Sequence, residues 1–285
     1  KSSHNEMRSL VCAQCHVEYY FNKNLPEKEG IPYLVFPWDD GQSVEGMEAY
    51  YDKVGHVDWV HSISKAPMLK AQHPGYETYQ LGIHGKRGVS CSDCHMPYKT
   101  EGGQKFTDHH IQSPLNNVAN SCQVCHREEK DELIKNVFDN QDRIIGNRDQ
   151  LERLLVRAHV EAGKAWELGA TEEQMKDILH GIRLGQWRWD YVAASHGGSF
   201  HAPVELGRVL GKGIDITQET RIKLAKLLME LGFNGEVPYP DIETKEAAQK
   251  FIGLDMEKLN AEKETFKKEL LPKWKAAAKE REAKY

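Results

Sequence analysis

Cys12-Ala13-Gln14-Cys15-His16, Cys91-Ser92-Asp93-Cys94-His95 and Cys122-Gln123-Val124-Cys125-His126 repeat one pattern, C-x-x-C-H. All six cysteines of the chain fall in these three stretches, so none remains for a disulfide. Two cysteines three apart lie on one turn of a helix and can form thioethers to two vinyl groups on one porphyrin edge. The histidine that follows then turns under the ring and ligates iron. The three stretches therefore predict three covalently attached haems c. A single C-x-x-C could hold zinc or cycle as a redox pair; three, each followed by His, define a multihaem c-type cytochrome.

The sixth ligands must come from elsewhere. Beyond His16, His95 and His126, the chain offers His4, His56, His61, His73, His84, His109, His110, His159, His180, His196 and His201. This surplus predicts bis-His haems, which are closed to substrate and move electrons. A catalytic haem would need one open face.

The 285 residues carry a net charge of −5 and no strongly basic block, which excludes a nucleic-acid binder. No run approaches 18 uninterrupted apolar residues, so no membrane span is expected. The chain starts Lys1-Ser2-Ser3-His4, without a leader. Since c-type haem is attached outside the cytoplasm in bacteria, a mature or truncated chain is expected.

The sequence changes character near residue 127. Residues 1–126 hold every haem motif among short segments broken by Gly30-Ile31-Pro32, Pro37-Trp38-Asp39-Asp40-Gly41 and Glu101-Gly102-Gly103. They read as loops and short helices wrapped around cofactors. Residues 127–285 read as long helices. Leu133, Val137, Ile144, Leu151, Leu154, Leu155 and His159 fall at helical spacing over 127–168, with Gly169 as the stop. Thr171-x-x-Gln174 is a capping box for a helix to about Ser195, ending at Gly197-Gly198. Thr217 is expected to cap a third helix ending near Gly232. A charged last helix is expected over 255–283, with Pro272 kinking it or restarting it. The fold class is mostly α, with two regions divided at 126/127. Trp187 and Trp189 read as packing against haem.

Longer motifs surround these patterns. They include Cys12-Ala13-Gln14-Cys15-His16-Val17-Glu18-Tyr19-Tyr20-Phe21, Phe36-Pro37-Trp38-Asp39-Asp40-Gly41 and Ser64-Lys65-Ala66-Pro67-Met68-Leu69-Lys70-Ala71-Gln72-His73-Pro74. Gly82-Ile83-His84-Gly85-Lys86, Thr107-Asp108-His109, Gln186-Trp187-Arg188-Trp189-Asp190 and His201-Ala202-Pro203 follow. Together these closely resemble the pentahaem cytochrome c nitrite reductases, periplasmic enzymes that reduce nitrite to ammonia by six electrons. The resemblance implies that Tyr19 and His73 stand over the open face of an active-site haem. It implies a calcium ion held by the Glu18 carboxylate, the Tyr19 and Lys70 carbonyls and the Gln72 side-chain oxygen. It also implies that His84 ligates the Cys122/Cys125 haem, His201 the Cys91/Cys94 haem, and His109 a haem attached elsewhere.

Without the resemblance, Glu18, Lys70 and Gln72 read as surface residues and Tyr19 as a packing aromatic. His109 and His110 are chemically equivalent beside Asp108, which could orient either ring. The family's partners carry over as expectations: a homodimer, and a membrane quinol-oxidising or soluble multihaem cytochrome as electron donor. So do its substrates, nitrite with hydroxylamine or sulfite as side substrates.

The family holds its active-site haem by C-x-x-C-K, a motif absent from residues 1–285, as is a second haem motif. The resemblance thus implies the C-terminal portion of a longer enzyme, with two more haems outside this chain. Two other readings share the haem motifs: a non-catalytic trihaem electron carrier and a multihaem hydroxylamine-oxidising enzyme.

Overall fold

The computed structural model describes residues 1–22 and 34–284. The turn expected at Gly30-Ile31-Pro32 lies outside the described residues. The elements begin with α1 (His4–Ala13), which Ser3 and Glu6 close in a capping box. A two-stranded ladder joins β1 (Tyr20–Phe21) and β2 (Leu34–Val35). Then come α2 (Val44–Val54) and a ladder of β3 (Trp59–Val60) with β4 (Pro67–Met68). Short helices α3 (Gly75–Leu81), α4 (Ile83–Lys86) and α5 (Cys91–His95) follow. A hairpin of β5 (Tyr98–Glu101) and β6 (Gln104–Thr107) leads to α6 (Val118–Ser121). The long helices are α7 (Lys130–Glu167), α8 (Glu172–Ala194) and α10 (Pro203–Glu230), with the short α9 (Gly198–His201) before the last. The expected class is met: mostly helix, with short antiparallel ladders.

Division by packing differs from division by composition. The chain forms two compact units, Lys1–Gly235 and Glu236–Tyr285. Residue 127 marks where long helices begin, not where a unit ends. Their apolar stripes need a partner, and they find it inside the first unit. Leu151 and Leu155 from α7 meet Trp187 and Tyr191 from α8 and Leu206, Val209 and Leu210 from α10. Met47, Tyr50 and Tyr51 from α2 join the same core. Trp187 is fully buried and gives its indole N–H to the Val44 carbonyl at 2.9 Å. It therefore packs among protein side chains at the α2–α8 contact.

Arg183 ties this core to the motif-bearing region. Its buried guanidinium meets Asp52 Oδ1 at 3.0 Å, the Pro67 carbonyl at 3.2 Å and the His56 carbonyl at 3.0 Å. Deeper along α7, His159 stacks on His61 at 3.8 Å between centroids and meets Ser64 Oγ through Nδ1 at 2.8 Å. Burial first, and the neighbouring His61 second, push His159 down to about 3.

Helix ends follow the sequence with one exception. The Thr171/Gln174 capping box starts α8 as expected. Thr217 does not start a helix; it sits inside α10. Its hydroxyl donates to the Gly213 carbonyl one turn back at 2.8 Å, the bond a threonine makes when it stays inside a helix. Thr217 also faces Gly185 on α8, where any side chain would press on its hydroxyl and on Leu155. Gly185→Val should cost about 1–3 kcal/mol by overpacking; thermal unfolding of the holoprotein would show it as a lowered Tm.

The second unit holds α11 (Lys245–Phe251), α12 (Met256–Glu269) and α13 (Leu271–Glu282). Pro272 lies in the first turn of α13, so the chain restarts there. Phe266 and Trp274 pack edge to face across that restart, 5.3 Å between centroids.

Candidate haem and active-site region

Each C-x-x-C-H sits where a helix presents it. The first ends α1, the second is α5 itself, capped by Ser90 and Asp93, and the third follows α6. Helix α1 packs on α5, and α5 on α6. Cys91 therefore lies beside Cys12, and Cys94 beside Cys122 and Cys125, near enough for each thiol to feel its neighbour. The order of the motifs along the chain is their order in space.

Two imidazoles on opposite faces of one iron stand about 6 Å apart between centroids, given metal–nitrogen bonds of about 2 Å on each side. His84 and His126 are 6.1 Å apart, and His95 and His201 are 6.3 Å apart. Both separations fit a haem iron between the rings. Burial, and then the facing imidazole, hold His84 below the usual histidine range and push His201 down to about 4. His95 Nδ1 lies 3.0 Å from the Gln112 carbonyl, which leaves Nε2 as the free ligating nitrogen.

Two close approaches set these rings. Gly82 joins α3 to α4, and a methyl there would overlap the His201 carbonyl oxygen. His84 also stacks on Phe200 at 5.5 Å, so the two histidines share a wall.

His16 behaves differently. Its ring meets His73 edge to face at 4.4 Å, too close for an iron between them. His73 is thus not the opposite ligand of the first motif. His196 also approaches His73, 5.1 Å between centroids, and has an exposed side chain. No local sequence signal marks His196. The Nδ1 of His73 is buried without a hydrogen-bond partner. Burial first, then His16 and His196, hold this imidazole below its ordinary value.

The first motif's tail is buried beside this site. Glu18 is fully buried. Its Oε2 accepts from the Gln72 N–H at 2.7 Å and its Oε1 from the Tyr51 hydroxyl at 3.0 Å. Glu77, also buried, accepts from the Glu18 N–H and the Trp38 indole, each at 2.9 Å, through Oε1. Its Oε2 has no partner. Burial, with Glu77 repelling, pushes the Glu18 carboxyl up to about 8. Two buried acids with an orphan oxygen fit a cation whose charge would offset both. Among the described residues no three His, Cys, Asp or Glu side chains cluster around one point. The family resemblance would give a cation here the Glu18 carboxylate, the Tyr19 and Lys70 carbonyls and the Gln72 side-chain oxygen. The Glu18–Gln72 bond brings that set to one neighbourhood. Tyr19 itself is half-buried, its ring edge-on to Phe21 at 5.6 Å.

His109 and His110 find different hydrogen-bond partners. Asp108 takes the His110 Nδ1 at 3.1 Å and the His110 N–H at 3.0 Å. His109 Nδ1 instead meets the Thr107 carbonyl at 2.7 Å, which presents Nε2 outward from an exposed position. Among the described residues no second histidine faces it in the way that His126 faces His84.

Fold and site together define a c-type cytochrome with several haem attachment helices and long packing helices. The chain belongs to the cytochrome c552 family, whose model matches residues 1–283. It is 55% identical over 280 residues to the cytochrome c-552 of Parabacteroides distasonis, covering 98% of this chain and 56% of that protein. To the cytochrome c-552 of Bacteroides thetaiotaomicron it is 55% identical over 279 residues, 98% of this chain and 55% of that protein. The chain thus spans about half the length of the curated relatives it matches. A solved cytochrome c nitrite reductase catalytic subunit from Desulfovibrio desulfuricans, a protein with two calcium sites, shares the fold at a TM-score of 0.75. It is 35% identical and covers 83% of this chain and 53% of that one.

Proposed function

We propose that this chain belongs to a periplasmic cytochrome c nitrite reductase that converts nitrite to ammonia by six electrons. One observation carries the reading: the tail of a haem-attachment motif is bonded to the segment that bears His73. Glu18 follows His16 by two residues and is bonded to Gln72, and His73 comes next. An electron carrier has no use for that junction.

On this reading the motif cysteines hold three haems through His16, His95 and His126. His201 closes the Cys91/Cys94 site and His84 the Cys122/Cys125 site. His109 serves a haem attached outside residues 1–285, as is the catalytic haem. Bound haem iron supplies one-electron steps at potentials set by its axial ligands, and calcium supplies a fixed positive charge.

This chain's own residues hold and protonate the substrate. His73 gives a proton to a nitrite oxygen as its bond to nitrogen breaks, and the Tyr19 phenol donates a hydrogen bond to the same small oxyanion. Glu18, the Tyr19 and Lys70 carbonyls and Gln72 hold calcium, which fixes Tyr19 and the segment that carries His73. The spatial order of the motifs supports electron flow along the chain. The long helices carry the homodimer face in the family this chain resembles, and a multihaem or membrane quinol-oxidising cytochrome is the donor. No described helix is long and apolar enough to cross a membrane.

The test is ammonium formation by the full-length holoprotein from nitrite and a low-potential reductant. Stoichiometric ammonium is expected, with hydroxylamine and sulfite as further substrates. Haem oxidation without ammonium would leave the electron carrier as the better reading.

A further inference from the structure

Residues 69–73 belong to no helix or strand, so their amides must find partners outside a ladder. Three consecutive amides find carboxylates. Lys70 N–H donates to Asp58 Oδ2 at 2.8 Å, Ala71 N–H to Asp190 Oδ2 at 2.9 Å, and Gln72 N–H to Glu18 Oε2 at 2.7 Å. The acids come from the lead into β3, from α8 and from the tail of the first motif. Acceptors from three separate elements thus fix three consecutive residues of the segment.

The middle bond has a directional consequence. A trans peptide is planar, so an amide N–H and the preceding carbonyl point opposite ways. Holding the Ala71 N–H on Asp190 therefore turns the Lys70 carbonyl away from α8. That carbonyl is one of the four oxygens assigned above to calcium. Asp190 is well placed to aim it, because its helix neighbours Trp187 and Tyr191 are locked in the core.

We propose that Asp190 is a positioning residue that aims the Lys70 carbonyl at calcium through the Ala71 amide, while Asp58 secures the amide of Lys70. The proposal rests on the calcium assignment in the reading above. What the role needs is an acceptor oxygen. Asparagine keeps that oxygen and loses the charge that Lys70 and Asp58 feel; alanine loses both.

The experiment uses full-length holoprotein freed of calcium with a chelator, then titrated with calcium by calorimetry. Asp190→Ala should bind calcium about 10–100-fold more weakly, the usual cost of losing an outer-shell partner. Asp190→Asn should bind as the unaltered protein does, and haem absorption should not change in either. Should the alanine variant fail to assemble, Asp190→Asn and Asp58→Asn still decide, since both are expected to keep their affinity. Wild-type affinity in Asp190→Ala overturns the proposal, as does an asparagine variant as weak as alanine. An unaltered protein that binds no calcium also overturns it. Ammonium formation by the same preparation reports separately on the proposed reaction.

Discussion

Replacing His73 by alanine should lower nitrite turnover by about 10²–10⁴, the range over which a positioned proton donor acts. Its neighbours explain the size. The His73 ring lies near those of His16 and His196, and its buried Nδ1 has no hydrogen-bond partner. A ring so placed is not held by a structural hydrogen bond, so its loss should leave the core in place. Haem content and the absorption bands of the three attachment sites should match those of the unaltered protein. Steady-state assays would show the loss in kcat more than in KM, because proton transfer belongs to the chemical step. His180→Asn, at an exposed position on α8, is the matched control and should turn over normally. Equal turnover in both variants would remove His73 from the mechanism.

Gly82→Ala should open at least one of two iron sites. The added methyl meets the His201 carbonyl, a backbone atom that cannot rotate aside. Either α4 retreats with His84 or α9 retreats with His201. Because His84 stacks on Phe200 beside His201, a shift on one side carries to the other. Iron–imidazole bonds tolerate little displacement, and losing one converts a six-coordinate, low-spin haem to an open one. Electron paramagnetic resonance of the oxidised holoprotein should show new high-spin signal where the unaltered protein has low-spin signal. Overpacking should also cost about 1–3 kcal/mol of stability. A spectrum with every low-spin signal intact would sink the pairing of His84 and His201 with these sites.

Much of this architecture was legible in the sequence, for local reasons. The stripe from Leu133 to His159 and the Thr171/Gln174 pair are short-range patterns, and α7 and α8 follow them. Thr217 was misread because the residue that caps a helix can also back-bond within one, and only its contact with Gly185 decides. The change in composition at residue 127 reflects cofactor attachment, whereas the units divide at Gly235 by packing.

The site divides in the same way. The attachment motifs are contiguous and readable. The facing of His84 with His126 and of His95 with His201 joins distant segments, and spacing alone could not supply it. Tyr51 and Glu77 carry no signal in the sequence, and His196 stands out from none of the other spare histidines, because each meets the site only through the fold. Between His109 and His110 the sequence offered one aspartate and two rings; the structure gives Asp108 to His110.

The two facing histidine pairs also differ in when they can exist. His84 precedes His126, so that pair is complete once the third motif has been made. His95 waits for His201, on α9, beyond the whole length of α7 and α8. Thioether formation needs only the short segment at Cys91–His95. On the proposed ligand assignment, the second site closes only when α7 and α8 have folded and brought α9 back to α5, so low-spin character at that iron would report completion of the bundle.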